Sequence, residues 1–192
     1  MSFKNYLDDL EKEKSVVYTF GRMNPMTKGH QALWDFISKE ARKYKADGII
    51  YTSFSQNTRK NPLNPKDKIM YIQKVLKKGA RISQDQSIKN AFTALEDLIK
   101  KGYTSIKFVV GADRKHDFND LKKYCKQWSN GEARIDIISF SGDSRIGDYS
   151  GTKMRQLAKE NNFKAFREDL PSGLTLKDAQ EIFDKTRIGL GV

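Results

Sequence analysis

The sequence predicts an α/β domain, a parallel sheet flanked by helices, and three observations lead there. Short runs rich in Val, Ile, Phe and Tyr alternate along the chain with longer amphipathic stretches. The short runs are mostly continuous in apolar residues, as expected of strands covered on both faces. No internal repeat, low-complexity tract or Pro/Gly/Ser linker divides the 192 residues, so one domain is expected over 1–192.

Residues 1–14 (MSFKNYLDDLEKEK) alternate acids and bases and read as an N-terminal helix without the apolar core of a signal peptide. The sheet-bearing core is expected over 15–160, followed by a helical segment over 161–192. Its first strand is residues 15–20. A helix over 30–44 places Leu33, Phe36, Ile37 and Ala41 on one stripe, with Trp34 suited either to the core or to stacking on a base. After a strand at 48–54, Asn64-Pro65 supplies an N-cap and a first-turn proline for a helix carrying Ile69, Ile72 and Leu76. Residues 87–101 set Ala91, Ala94, Leu95 and Leu98 on one face and end at Gly102, a suitable C-cap. A strand at 105–110, a helix at 117–128, a strand at 134–140 and helices at 152–161 and 175–185 complete the order. Phe163 and Phe166 read as packing for the C-terminal helices, and Ser172-Gly173 as a turn. His116 falls at a helix start. Strands that alternate with helices imply βαβ units. Ligands of such sheets bind beyond the carboxyl ends of the strands, where strand order reverses. The loops after strands are therefore where a site is expected.

Composition narrows the classes of function. Hydrophobic residues are 38% and charged residues 31%, and no stretch approaches about 18 consecutive apolar residues, so no membrane partner is expected. The single cysteine, Cys125, cannot form an internal disulfide and reads as a half-buried small hydrophobe, which makes the cytoplasm the expected location. With 36 basic against 24 acidic residues the net charge is +12, favouring nucleotides, nucleic acid or acidic surfaces as partners. The bases are spread along helix faces rather than gathered in one arm. Self-association into a homo-oligomer is left open.

Two loops carry unusual residues. The first strand runs into Gly21-Arg22-Met23-Asn24-Pro25-Met26-Thr27-Lys28-Gly29-His30, where Gly29 leaves room for a ligand at the start of the next helix. A helix start favours phosphate because its first N–H groups lack partners and its dipole is positive. Thr27 and His30 are expected one turn apart there, both aimed at one anion. Near the end, Tyr149-Ser150-Gly151-Thr152-Lys153-Met154-Arg155 offers Ser150 and Thr152 as helix caps, with Arg155 one turn in and in reach of a β- or γ-phosphate. A third loop, Gly111-Ala112-Asp113, follows the strand IKFVV; Asp113 suits either a helix cap or a ribose contact. No Cys/His cluster suggests zinc.

These segments resemble the nucleotidyltransferase superfamily. Thr27-Lys28-Gly29-His30 is similar to its H-x-G-H signature with threonine in the first place. Gly21-Arg22-x-Asn24-Pro25 resembles the G-R-F-x-P opening of archaeal-type nicotinamide-nucleotide adenylyltransferases. Ser53-Phe54-Ser55-Gln56-Asn57, Asn61-Pro62-Leu63 and Asp67-Lys68 look like that branch's G-S-A-Q, N-P-F and E-R, with Ser53 for the glycine and Lys68 for the arginine. Tyr149-Ser150-Gly151-Thr152-x-x-Arg155 is similar to the I-S-S-T-x-I-R signature, and closer to its Y-S-G-T form. Gly111-Ala112-Asp113 looks instead like the G-A-D of bacterial and eukaryotic adenylyltransferases.

The resemblance implies a Rossmann-like fold and direct in-line transfer of a nucleoside monophosphate, with ATP as the expected donor and pyrophosphate released. It implies His30, Thr27 and Arg155 as catalytic groups. Gly21, Arg22, Met23, Asn24, Lys28, Gly29, Tyr149, Ser150 and Thr152 would bind the nucleotide. Ser55, Gln56, Gly111 and Asp113 would meet the acceptor or a ribose. Mg²⁺ is expected with the triphosphate, held by few protein ligands. Nicotinamide mononucleotide is the first expected acceptor. The alternatives are a cytidylyltransferase acting on a small alcohol or sugar phosphate, and an inactive relative that binds nucleic acid or serves an assembly.

Overall fold

A computed structural model describes residues 13–141 and 149–192; the expected helix over 1–14 lies almost wholly outside them. Five parallel strands form one sheet: β1 (Ser15–Gly21), β2 (Asp47–Thr52), β3 (Arg81–Ile82), β4 (Ser105–Gly111) and β5 (Arg134–Phe140). Their order across the sheet is β3-β2-β1-β4-β5. The chain thus steps outward from β1 through β2 to β3, then returns to the other side of β1 for β4. The direction of winding reverses between β1 and β4, where Tyr18 pairs with both Ile49 and Phe108.

The helices are α1 (Lys28–Lys43), α2 (Pro65–Val75), α3 (Ala91–Lys100), α4 (Asp120–Trp128), α5 (Gly151–Lys159), α6 (Phe163–Asp169) and α7 (Leu176–Leu190). Successive strand residues point to opposite faces. Val16 and Tyr18 therefore join Ile106 and Phe108 against α3 and α4, while Val17, Ile50 and Val109 join Trp34, Ile37 and Ile72 beneath α1 and α2. Phe166 and Phe183 extend the second core into α6 and α7, with ring centroids 5.1 Å apart. Burial on both faces is why the strand sequences are continuously apolar. Among the described residues no helix is long and apolar enough to cross a membrane.

Several boundaries differ from the sequence reading for local reasons. β3 was not expected; its two residues pair only with Ile49 and Ile50 of β2. The helix expected over 87–101 starts at Ala91 because Asn90 caps it, its Oδ1 accepting from the Phe92 and Thr93 N–H groups. Residues expected as the start of a helix at 117 belong to a tight 3₁₀ segment, Ala112–Phe118, which also holds His116. Trp34 is core, 1% exposed, and Cys125 is buried rather than half-buried, with Sγ 3.6 Å from the Ala133 carbonyl.

Candidate active site

At the winding reversal the carboxyl ends of β1 and β4 open into a cavity of about 340 Å³. Thr19, Phe20, Gly21, Arg22, Met23 and Asn24 form its wall from β1, and Val110, Gly111, Arg114 and Phe118 its wall from β4. His30 and Leu33 of α1 and Ser150, Gly151, Thr152 and Arg155 at the start of α5 close it. Residues from both sequence motifs therefore share one cleft, although they are more than a hundred positions apart.

The β1–α1 loop is held rigidly. Met23 is left-handed (φ 49°), with its side chain packed into the core. The Asn24 carboxamide donates to the Leu63 carbonyl and accepts from the Leu63 N–H, both at 2.9 Å, which ties this loop to the entrance of α2. That side chain is 2% exposed and fully engaged, so Asn24 meets the cleft through its backbone.

Thr27 and His30 differ from the expectation that both aim at an anion. Thr27 is 1% exposed and is the N-cap of α1, its Oγ1 accepting from the His30 N–H at 3.4 Å. In return His30 Nδ1 accepts from the Thr27 N–H at 3.0 Å, a reciprocal capping box. Because Nδ1 is an acceptor, the neutral ring carries its proton on Nε2. Thr27 thus sets the tautomer, and His30 alone of the pair lines the cavity.

Burial, and secondarily the Lys68 charge, lower the His30 pKa from 6.5 to about 4. The folded state then binds fewer protons than the unfolded chain between those values. This group's contribution to stability is present above about pH 6.5 and lost as pH falls toward 4. We expect ¹⁵N NMR of the histidine rings to show His30 as the neutral Nε2–H form at pH 6; an imidazolium signal there would refute the arrangement.

The second motif faces the first. Ser150 caps α5 by accepting from the Lys153 N–H at 3.1 Å. Arg155 donates from Nη1 to the Asn24 carbonyl (3.0 Å) and from Nη2 to Thr152 Oγ1 (2.9 Å), so one guanidinium clasps both loops. A Cβ on Gly151 would lie 3.3 Å from Arg155 Nη1 and 3.5 Å from the Pro25 carbonyl; glycine lets α5 begin against that loop. Gly29 likewise faces Tyr149, whose ring centroid lies 6.0 Å from Lys28 Nζ. Partial burial, then the nearby Arg22 guanidinium, lower the Arg155 pKa. Among the described residues neither Arg22 nor Arg155 forms an ion pair, whereas Arg114, also on the cleft wall, pairs with Asp117 at 3.2 Å.

Other expected residues are distributed differently. Gly111 lines the cavity, and Asp113 follows in the 3₁₀ segment. Ser55 and Gln56 are exposed in the loop after β2 and line no wall of this cavity; Ser55 Oγ accepts from Asn61 Nδ2 at 3.2 Å. A second hollow of about 590 Å³ lies beyond β2 and β3, lined by Phe54, Ile69 and Met70 with Asn64, Gln73, Gln84 and Gln86. Sequence reasoning also passed over Lys68 as a functional group. It is wholly buried, and Nζ donates to the carbonyls of Arg22 (3.0 Å) and Ser53.

No family model matches the chain, and no curated protein matches it by sequence. Solved structures do resemble it. Thermotoga maritima TmcAL, solved with alpha-thio ATP bound, is 15% identical with a TM-score of 0.52, over 90% of this chain and 55% of that one. A protein assigned as a nicotinate-nucleotide adenylyltransferase from Vibrio parahaemolyticus is 15% identical with a TM-score of 0.50, over 88% of this chain and 98% of that one. A macrolide-efflux protein from Streptococcus pneumoniae is 21% identical with a TM-score of 0.49, over 84% of this chain and 58% of that one. This chain spans a little over half the length of the Thermotoga and Streptococcus proteins. What it shares with the Thermotoga and Vibrio structures is the fold, a Rossmann-like parallel sheet flanked by helices.

Proposed function

We propose that the chain is a nucleotidyltransferase that moves a nucleoside monophosphate from a triphosphate, ATP before CTP, to a phosphorylated acceptor. One observation carries the reading: the starts of α1 and α5 meet at a single cleft where strand order reverses, joined by Arg155. Two helix N-termini, the guanidiniums of Arg22, Arg114 and Arg155 and the His30 Nε2–H make that cleft a cradle of donors and positive charge, suited to a polyphosphate.

The chemistry follows from the donor set. An acceptor phosphate is already ionised at neutral pH, so its oxygen attacks the α-phosphorus without a protein base. A bond from that oxygen to phosphorus forms as the bond to the β-phosphate oxygen breaks, and pyrophosphate leaves with the electron pair. His30 donates to the oxygens of the reacting phosphoryl group, where charge is most crowded. Arg155 and Arg22 receive the charge that gathers on the departing pyrophosphate. Among the described residues no three His, Cys, Asp or Glu side chains gather as a metal site. Mg²⁺ would be held chiefly by the phosphates and would neutralise part of their charge. Asp113 is the candidate for a ribose hydroxyl.

The acceptor remains nicotinamide mononucleotide in this reading, supported by the motif resemblance and by the hollow beyond β2 and β3. That hollow follows the carboxyl ends of β2 and β3 and joins an apolar floor to carboxamide side chains and to the charged Lys66 and Asp67. The test is a pyrophosphate-release screen crossing ATP and CTP, with Mg²⁺, against a panel of acceptor phosphates. We expect NAD and pyrophosphate from ATP and nicotinamide mononucleotide. Turnover only with CTP and a small alcohol phosphate would overturn the acceptor and leave the reaction type standing. No pyrophosphate with any pair would end the enzymatic reading. Steeply salt-dependent RNA or DNA binding would then favour an inactive, nucleic-acid-binding relative.

A further inference from the structure

We propose that Lys68 is a positioning cation of the nucleotide site, holding the Arg22 backbone at the cleft wall and setting a buried positive charge behind the bound polyphosphate. The inference rests on the nucleotidyltransferase reading above.

A lysine is almost never fully buried unless paired. Lys68 is 0% exposed, yet among the described residues it has no carboxylate partner. The acid beside it on α2, Asp67, is engaged by Asn64 Nδ2 and by Lys185 Nζ at 2.8 Å. Tyr71, one turn on, donates to Glu181 at 2.7 Å. Among the described residues the charged or titratable groups toward the cleft are Arg22 in the β1–α1 loop, His30 on α1, Arg114 and Arg155, none of which is an anion. A buried ammonium so placed is costly in the free protein. An anion in the cleft would offset that cost.

The two carbonyls explain the positioning. Arg22 O accepts from Lys68 Nζ and from Thr52 Oγ1 (3.3 Å), and Ser53 O accepts from the same ammonium. The loops after β1 and β2 are thereby fixed to one helix residue. A neutral amine still has two N–H groups for two carbonyls, so loss of its proton removes the charge while keeping the bonds. Burial lowers the Lys68 pKa to about 8 in the free protein. A polyphosphate at the cleft favours the charged form, so binding near that pH should draw in a proton. Affinity should then fall as pH rises through about 8.

The experiment is isothermal titration calorimetry of the wild type, Lys68→Met and Lys68→Arg with two probes, Mg²⁺–ATP and inorganic tripolyphosphate. Titrations near pH 8 in buffers of different ionisation enthalpy count the protons taken up. We expect the wild type to take up protons with both probes and Lys68→Met not to. Lys68→Met should bind both at least about tenfold more weakly, the equivalent of one pKa unit, and Lys68→Arg should recover most of the loss. Wild-type binding without proton uptake overturns the proposal, as does a folded Met variant that binds like the wild type. Should the Met variant not fold, proton uptake by the wild type still decides. A wild type that binds neither probe removes the nucleotidyltransferase reading itself, an outcome distinct from binding that is indifferent to Lys68.

Discussion

Replacing His30 with alanine is expected to lower turnover about a hundredfold at saturating substrate while the domain stays folded. The His30 ring is anchored by the Thr27 N–H on Nδ1 and kept neutral by burial, so Nε2–H is a fixed donor at the cleft. A donor already oriented toward developing charge is worth on the order of 3 kcal/mol in the transition state, because no reorganisation is required when the charge appears. The structural cost is smaller. The variant loses one half of the α1 capping box, and loss of such a cap typically costs about 1 kcal/mol. His30→Gln separates the two effects, since a carboxamide supplies an N–H donor without the ring. Pyrophosphate release under saturating conditions, together with thermal melting, measures both. A folded alanine variant with near-wild-type turnover would remove His30 from the chemistry.

The sheet was legible because its strands are covered on both sides. Val16-Val17-Tyr18 and Phe108-Val109-Val110 send alternate residues into two cores, and that demand appears in sequence as uninterrupted apolar runs. β3 escaped because two residues have no period; it exists through pairing with β2, a contact no local pattern encodes. The start of α3 was readable in principle, since Asn90 and Thr93 form a capping box that a search for apolar periodicity overlooks.

The site divides along the same line. His30, Arg22, Ser150, Thr152 and Arg155 stand in loops after strands or at helix starts, where polar residues of special type are conspicuous, and the fold gathers them around one cavity. Thr27 is harder to read from sequence, because a hydroxyl at a helix start can serve a ligand or a neighbouring N–H and only packing decides; at 1% exposure it caps the His30 N–H. Lys68 was passed over as a functional group for a related reason. The sequence shows Lys68 only as the lysine in place of a motif arginine, and the carbonyls that hold it, those of Arg22 and Ser53, are supplied by two distant loops. Arg114 and Phe118 reach the cavity through the 3₁₀ segment, whose turn geometry the helical pattern at 117–128 concealed.

Arg155→Ala is expected to raise the apparent constant for the nucleotide by between about ten- and a hundredfold and that for the acceptor far less. Charged hydrogen bonds are worth roughly 1.5–3 kcal/mol, and this guanidinium is placed one turn inside the helix whose start faces the cleft. It also has a structural duty, since it donates to the Asn24 carbonyl and so joins the two motif loops. Alanine leaves that carbonyl without its Arg155 donor, and a fall in stability of about 1 kcal/mol should accompany the kinetic effect. The two roles come apart in Arg155→Lys. An ammonium can reach one partner at a time and lacks the planar fork that spans Asn24 and Thr152. Lysine should therefore restore part of the nucleotide affinity while the melting temperature stays below that of the wild type. If alanine raised both substrate constants equally, Arg155 would be a loop clamp with no particular bearing on the triphosphate. The anion-binding role would then pass to Arg22 and the two helix starts.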